Sequence, residues 1–259
     1  MDLGLSGRTA IVCASSRGLG KGCALALAEA GAAVVVNGRD EATLNATAEE
    51  LRERTGAEIT AVAADVASAD GQAKLLAACP EPDILVNNNA GPPHRDFREL
   101  DRQAMIDGVV MNMVTPIQLI QAVIDGMIAR KFGRIVNITS ASVRMPLVGL
   151  DLSSGARAGL TAFVAGIARQ VVEHNVTINH ILPGAIDTDR LRSGLKYASE
   201  KQGKPVEEIE AVRKQAIPAK RFGNPEEFGK ACAFLASAHA GYITGQSLLI
   251  DGGAFNGTV

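Results

Sequence analysis

The chain has 259 residues, 47% of them hydrophobic, which is enough for one well-buried domain; α/β folds of this length commonly stay undivided. Its 26 basic and 28 acidic residues leave a formal charge of −2 with both signs interspersed. That balance gives no basic footprint for nucleic acid and no acidic tail, and it points to small-molecule partners. No apolar run nears the roughly 18 residues of a membrane span. The opening residues MDLGLSGRTAIVCASS lack the pattern of a cleaved leader, so the expectation is a cytoplasmic protein without membrane contact.

In chain order, β-branched runs alternate with segments of helical period, the pattern of βαβ units that build a parallel sheet covered by helices on both faces. TAIVCA at 9–14 predicts the first strand, and a helix follows from about Arg17 to Ala30, ending at Gly31. AVVVN at 33–37 is the second strand, EATLNATAEELRER an amphipathic helix, and EITAVAA at 58–64 the third strand. DILVN at 83–87 is the fourth; a long helical region then runs to Arg130, bent or broken near Pro116. RIVNIT at 134–139, a helix from about Ser153 to His174, and TINHIL at 177–182 continue the alternation. Residues 187–224 break it: Leu191, Leu195, Val206, Ile209, Val212 and Ile217 are spaced as one or two small amphipathic helices. A segment this long inside a compact domain reads as a lid over a site. A helix from NPEEFGKACAFLAS and a last strand, SLLI at 247–250, close the chain. The four cysteines, Cys13, Cys23, Cys79 and Cys232, have no CxxC spacing and read as buried thiols, not metal ligands or disulfides.

The turn CASSRGLGKG, residues 13–22, joins the first strand to the first helix. There Gly18 and Gly20 permit close backbone approach, and the helix start offers unpaired N–H groups to a phosphate. The spacing departs from GxGxxG because position 23 is cysteine, so the turn alone is equally compatible with a tight structural turn. Arg39 stands after the second strand, where an NAD site usually places a carboxylate on the ribose 2′-hydroxyl. An arginine there pairs instead with a 2′-phosphate, which predicts NADP(H) ahead of NAD(H). The plainer reading of Arg39 is a solvated loop residue with Asp40 beside it.

Taken in this order, the features resemble the short-chain dehydrogenase/reductase family from about Gly7 to Gly253. The family's first turn, TGxxxGxG, corresponds to Cys13, Ala14, Ser15, Ser16, Arg17, Gly18, Leu19 and Gly20, with Ala14 replacing the first glycine. Asp65 and Val66 match the pair at the adenine ring. In NNNAGPP at 87–93, the residues Asn88, Ala90 and Gly91 match the NNAG motif, and Asn112 matches the asparagine of the long helix. Pro183, Gly184, Ile186 and Thr188 resemble the segment flanking the nicotinamide; RFGNPEEFG and YITGQSLLIDGG match the closing motifs. The most similar members are 3-oxoacyl-acyl-carrier-protein reductases and related carbonyl reductases. The resemblance implies one Rossmann-type domain over residues 1–259, a doubly wound parallel sheet of about seven strands in three αβα layers. It further implies NADP(H), hydride transfer to or from a carbonyl carbon, and a homotetramer.

One departure is chemical. In the family a serine polarises the carbonyl, a tyrosine moves the proton, and a lysine four residues on binds the nicotinamide ribose. Ser140 matches the serine, but the family's thirteen-residue step then lands on Ser153 and the next four on Arg157. A tyrosine with a reference pKa of about 10 can be tuned to protonate an alkoxide, whereas a serine is a far weaker acid and Arg157 a poor proton shuttle. Ser153 relaying a proton through water, with Ser140 and Arg157 stabilising the oxyanion, is one replacement. Asp151, His94 and Tyr197 are other candidate donors; Tyr242 reads as packing, and His174 and His180 as surface and strand residues. The functions in contention are an NADPH-dependent reductase of a carbonyl (a 3-oxoacyl thioester or similar ketone) or of an imine, with an altered acid, and a cofactor-binding pseudoenzyme with a sensing or oligomer-forming role; unrelated chemistry on the same cradle, such as dehydration, is a third and weaker reading.

Overall fold

A computed structural model describes residues 1–92 and 94–258. Seven parallel strands form one sheet in the order β3-β2-β1-β4-β5-β6-β7. They are β1 Thr9–Val12, β2 Ala33–Gly38, β3 Ile59–Ala63, β4 Ile84–Asn87, β5 Gly133–Ile138, β6 Val176–Pro183 and β7 Ser247–Ile250. Each lies within two residues of the run that predicts it. The order reverses at β1, which pairs with both β2 and β4, so a crevice opens at the C-terminal ends of those two strands.

Two cores sandwich the sheet. On one face α1 (Gly18–Glu29), α2 (Glu41–Thr55) and α9 (Pro225–Ala236) bury Leu27, Leu44, Leu51 and Phe228 against Val12, Val34 and Val136. On the other, α3 (Ala69–Ala78), α5 (Thr115–Ala129) and α6 (Asp151–Val171) bury Leu75, Ile120, Met127 and Val164 against Ile11, Leu85 and Ile135. Both faces being covered is why the strands read as continuous apolar runs rather than alternating ones. Gly22 and Gly229 let α1 and α9 touch: a Cβ on Gly229 would lie 2.0 Å from the Gly22 carbonyl oxygen.

Local signals set the helix ends. Asp40 and Ser68 accept hydrogen bonds from Thr43 N and Gly71 N at the starts of α2 and α3, and Asn224 with Glu227 forms a reciprocal cap on α9. Gly56 closes α2 in the left-handed conformation. Asp40 is therefore committed to its helix, the Thr43 hydrogen bonds holding its carboxyl below the usual range.

The irregularity expected near Pro116 takes a particular form: α4 (Arg102–Val109) passes through a π-helical turn, Val110–Val114, directly into α5. Pro116 has no N–H to give to the Asn112 carbonyl four residues back, and the Thr115 N–H bonds five residues back to Val110, which widens the turn. The whole helix, Arg102–Ala129, is 28 residues long with a mean hydropathy of 1.3 over its most apolar window, enough by length and composition for a membrane span. Leu119, Ile120, Val123 and Met127 nevertheless lie in the core against the sheet, as in a core helix of a globular fold.

Residues 187–224 carry α7 (Asp189–Gln202) and α8 (Val206–Ala216). Leu195, Ile209 and Ile217 point inward, but Val212 is 63% exposed, contrary to its assigned place in the apolar stripe. Tyr242 is likewise not packed but fully exposed. All four cysteines are buried and unbridged, and the described residues contain no cluster suited to a metal ion.

Candidate active site

The crevice between β1 and β4 is lined first by the turn after β1. Ala14 adopts φ +45° and Gly18 φ +57°, both left-handed. The family's glycine at position 14 thus meets a real backbone demand, which alanine satisfies at the cost of strain. Asn37 braces this turn: its Oδ1 accepts from Ala14 N at 3.1 Å while its Nδ2 donates to the carbonyls of Val62 and Ala64. Ser15 is fully buried, its N–H donating to Asn37 O and its hydroxyl to Val12 O, so it sits behind the crevice and not on its surface. The open part of the turn starts at Ser16.

Gly20 is crowded, since a Cβ there would meet Ala14 O at 2.4 Å. Helix α1 begins at Gly18 with no side-chain cap and no acidic residue in its first turn, leaving N–H donors at its start. Leu19 packs on the core and anchors that turn. Ser16 lies against Gly38, and Arg39 projects into solvent beside them with no carboxylate partner among the described residues. Arg17, also exposed, reaches Asp189 of α7 at 3.8 Å across the crevice. Opposite, Asp65 is exposed, while Val66 is buried in the core beneath it.

After β4, a ladder of asparagine amides orders the NNNAG run. Asn87 donates to Asn137 Oδ1 at 2.9 Å, Asn88 to Ala14 O at 3.1 Å, and Asn89 to Met111 O at 3.3 Å. Asn112, placed by the π-turn, donates to Ala90 O at 3.3 Å. Pro93, the last residue of that run, lies outside the described residues. Behind these amides is a cavity of about 20 Å³ bordered by Asn87, Asn112, Thr115, Asn137 and Arg157. Asn87 Oδ1, Asn112 Oδ1, Thr115 Oγ1 and Asn137 Nδ2 have no protein partner, a polar lining of the kind that holds water.

The residues matched to catalytic roles, Ser140, Ser153 and Arg157, lie just after β5 and on α6. Ser140 Oγ accepts from Ser142 N at 3.1 Å, which leaves its hydroxyl proton free. Ser153 is buried on the first turn of α6, and its Oγ accepts from Arg157 Nε at 3.2 Å. Arg157 also donates through Nη1 to Ile138 O at 2.8 Å, so the guanidinium is fixed between the tip of β5 and Ser153. Burial, with Arg190 nearby as a second cause, pulls Arg157 from 12.5 down to about 10, still cationic near neutral pH.

The other candidate donors are less well placed. Asp151 is exposed at the start of α6 and Tyr197 is 54% exposed on α7. Partial burial, then the cations Arg190 and Arg213, hold His94 below its usual pKa, which favours its neutral form over the protonated one that could donate. His174 is a surface residue paired with Glu173, and His180 is buried in β6.

Of the segment after β6, Gly184 abuts Asp251, where a Cβ would lie 2.6 Å away. Pro183 ends the strand beside Ile250, and Ile186 is buried with its backbone bridged to Gly223. Thr188 caps α7 by accepting from Leu191 N and stands over Gly18. Arg190, which nothing in its charge-dense stretch of sequence distinguishes, donates to Gly91 O at 3.0 Å and Pro92 O at 3.1 Å.

The chain is similar to known proteins over nearly its whole length. Residues 13–254 match a family described as enoyl-(acyl carrier protein) reductase. The chain is 33% identical over 255 residues to a 3-oxoacyl-[acyl-carrier-protein] reductase of Vibrio harveyi, covering 98% of this chain and 99% of that one. It is 31% identical to the NADPH-dependent reductase BacG of Bacillus subtilis, covering 96% and 98%. Among solved structures, an NADPH-dependent reductase involved in bacilysin biosynthesis superposes with a TM-score of 0.92 at 31% identity, covering 98% of this chain and 100% of that one. L-sorbose reductase from Gluconobacter frateurii, complexed with NADPH and L-sorbose, gives 0.93 at 28% identity over the full length of both. With the same fold and matches over nearly its whole length, the chain belongs to the short-chain dehydrogenase/reductase family.

Proposed function

We propose that the protein is an NADPH-dependent reductase of a small carbonyl compound, working through Ser140, Ser153 and Arg157 in place of a tyrosine–lysine pair. The uncapped start of α1, the crevice at Gly20 and the unpaired Arg39 beside Ser16 fit a dinucleotide carrying a 2′-phosphate. The relatives described as NADPH-dependent point the same way. Asn88, Ala90, Gly91, Pro183, Gly184, Ile186 and Thr188 would border its nicotinamide half, and Asp65 and Val66 its adenine. When bound, the cofactor supplies the hydride.

The observation that carries this reading is the bond from Arg157 Nε to Ser153 Oγ. Because that oxygen already accepts, the Ser153 hydroxyl is left to donate, and Ser140 is arranged likewise by Ser142 N. Two hydroxyl donors backed by a fixed cation can stabilise the alkoxide that forms when a carbonyl carbon is reduced. The final proton comes from water through Ser153, and the polar cavity behind Arg157 is a place from which water can be drawn. Asn112 holds the Ala90 carbonyl and so the loop that borders the site.

In this reading α7 and α8 form a lid over a single domain, and the protein acts in the cytoplasm without nucleic acid or membrane. The exposed apolar row Met105, Ile106, Val109, Val110 and Phe163 on α4, the π-turn and α6 supports self-association into a homotetramer. The test is an NADPH fluorescence titration followed by NADPH oxidation over a panel of 3-oxoesters, ketones and imines. Tight NADPH binding with turnover of at least one panel member is expected; binding without any turnover favours the pseudoenzyme, which the missing phenol keeps in play.

A further inference from the structure

The walls of the crevice, the turn after β1 and the loop after β4, are joined at two levels. Close to the strand ends, Asn88 Nδ2 donates to Ala14 O at 3.1 Å. Farther out, three consecutive residues at the start of α7 reach both walls. Thr188 stands over Gly18, its Cγ2 3.5 Å from where a Cβ on that glycine would be, and Asp189 Oδ2 meets Arg17 Nη1 at 3.8 Å. Arg190 turns the other way, its Nη1 donating to Gly91 O at 3.0 Å and its Nη2 to Pro92 O at 3.1 Å.

The segment that carries these residues is built to swing. It leaves and re-enters the fold at one point, where Asp187 N donates to Gly223 O at 2.8 Å and Gly223 N to Ala185 O at 3.0 Å. Between those ends α7 and α8 pack chiefly on each other, burying Leu195 and Ile209. A helix pair pinned at a single base moves as one flap, and what fixes its free side over the crevice is residues 188–190. The two fastenings are unequal. The bonds from Arg190 are charge-assisted and well within hydrogen-bond distance, whereas the Asp189 to Arg17 pair is exposed, longer and screened by salt.

We propose that Asp189 and Arg190 form a two-point clasp that holds the α7 and α8 flap across the crevice and gates entry and exit of the dinucleotide. This rests on the reading of the crevice as the NADPH site. A dinucleotide laid between the two walls passes beneath residues 188–190, so the clasp parts each time it enters or leaves and is remade afterwards. Contacts that are broken only in transit slow association and dissociation together and leave affinity almost unchanged. A residue that held the cofactor itself would slow dissociation alone.

The test is stopped-flow NADPH fluorescence, with association followed against NADPH concentration and dissociation by displacement with excess NADP⁺. Arg190→Ala is expected to raise both rate constants at least about tenfold while Kd stays within about threefold, because two charge-assisted bonds are lost. Arg190→Lys, which can hold one carbonyl, should fall between wild type and Arg190→Ala. Asp189→Asn should raise both constants by about two- to threefold. Unchanged rates in Arg190→Ala overturn the proposal. So does faster dissociation alone with Kd weakened more than about tenfold, which assigns Arg190 to the cofactor. Amide hydrogen exchange over residues 191–197 in the protein without cofactor is the second reading: at least about fivefold faster exchange is expected in Arg190→Ala, and equal exchange overturns the clasp. Wild-type protein that binds no NADPH, with exchange still raised in the variant, defeats the cofactor reading and the gate that rests on it.

Discussion

Ser153→Ala removes one oxygen and separates two roles. The hydroxyl is the donor left free by the 3.2 Å bond from Arg157 Nε, so its loss takes away one of the two groups proposed to stabilise the developing alkoxide. Deleting a single donor of this kind costs about 10²–10³ in kcat, on the order of 3 kcal/mol of transition-state stabilisation. Ground-state binding changes little, so KM should move far less than kcat. The same deletion strands the Arg157 Nε–H, whose loss of partner costs about 1–3 kcal/mol of stability. The other anchor, from Nη1 to Ile138 O at 2.8 Å, survives, and the adjoining polar cavity can admit water, so the low end of that range is expected. Single-turnover NADPH absorbance at saturating substrate reads the first effect and thermal denaturation the second. Ser153→Thr, which keeps a hydroxyl, should retain activity within about tenfold. A Ser153→Ala enzyme within about threefold of wild type in kcat would refute the assignment of the hydroxyl as a donor.

Arg39→Ala should lower the preference for NADPH over NADH by about 10–100-fold, read as the ratio of the two dissociation constants, because a charge-assisted bond to a 2′-phosphate is lost; an unchanged ratio would return Arg39 to the solvent. Ala14→Gly relieves a left-handed alanine at φ +45° and should raise stability by up to about 1 kcal/mol, read from denaturant midpoints; destabilisation would contradict the strain argument. Burial lowers His180 from 6.5 to about 4, so the native state resists a proton that the unfolded chain accepts. The stability this contributes is present above about pH 6.5 and lost progressively toward pH 4, in total on the order of 3 kcal/mol. Thermal melts across that range should fall less steeply for His180→Val than for wild type, and parallel curves would remove His180 as the cause.

The fold was readable because it rests on repeated, local signals. Runs such as AVVVN and RIVNIT are apolar on both faces because both faces are covered, and Asp40, Ser68 and Asn224 mark helix starts by their own hydrogen bonds. Much of the candidate site was readable for the opposite reason. Gly18, Gly20, Asn112 and Ser140 occur at spacings whose resemblance to a family supplies what no single residue could.

What escaped the sequence depends on contacts between distant segments. Pro116 marks an irregularity in the long helix, but its form, a π-turn just before it where Asn112 meets Ala90, is set by contacts the sequence does not display. Ser15 looks like its neighbour Ser16 in the sequence and differs only in being pinned to Val12 and Asn37. Arg190 is one of many charges in residues 187–224, and only the fold brings it 99 residues back to Gly91. Val212 and Tyr242 were assigned inward on spacing and motif, yet the one faces solvent from α8 and the other from the loop before β7.

The central claim, that this chain moves a hydride onto a carbonyl without a phenol at position 153, is tested most directly with NADPH deuterated at the transferable position. Mass spectrometry of the alcohol formed from a 3-oxoacid or 3-oxoester should find one deuterium on the carbinol carbon. Ser140→Ala should slow its appearance by about 10²-fold or more while NADPH still binds. NADPH bound tightly, with no labelled alcohol formed from any member of the panel, would contradict the account and identify the protein as a binder that no longer turns over.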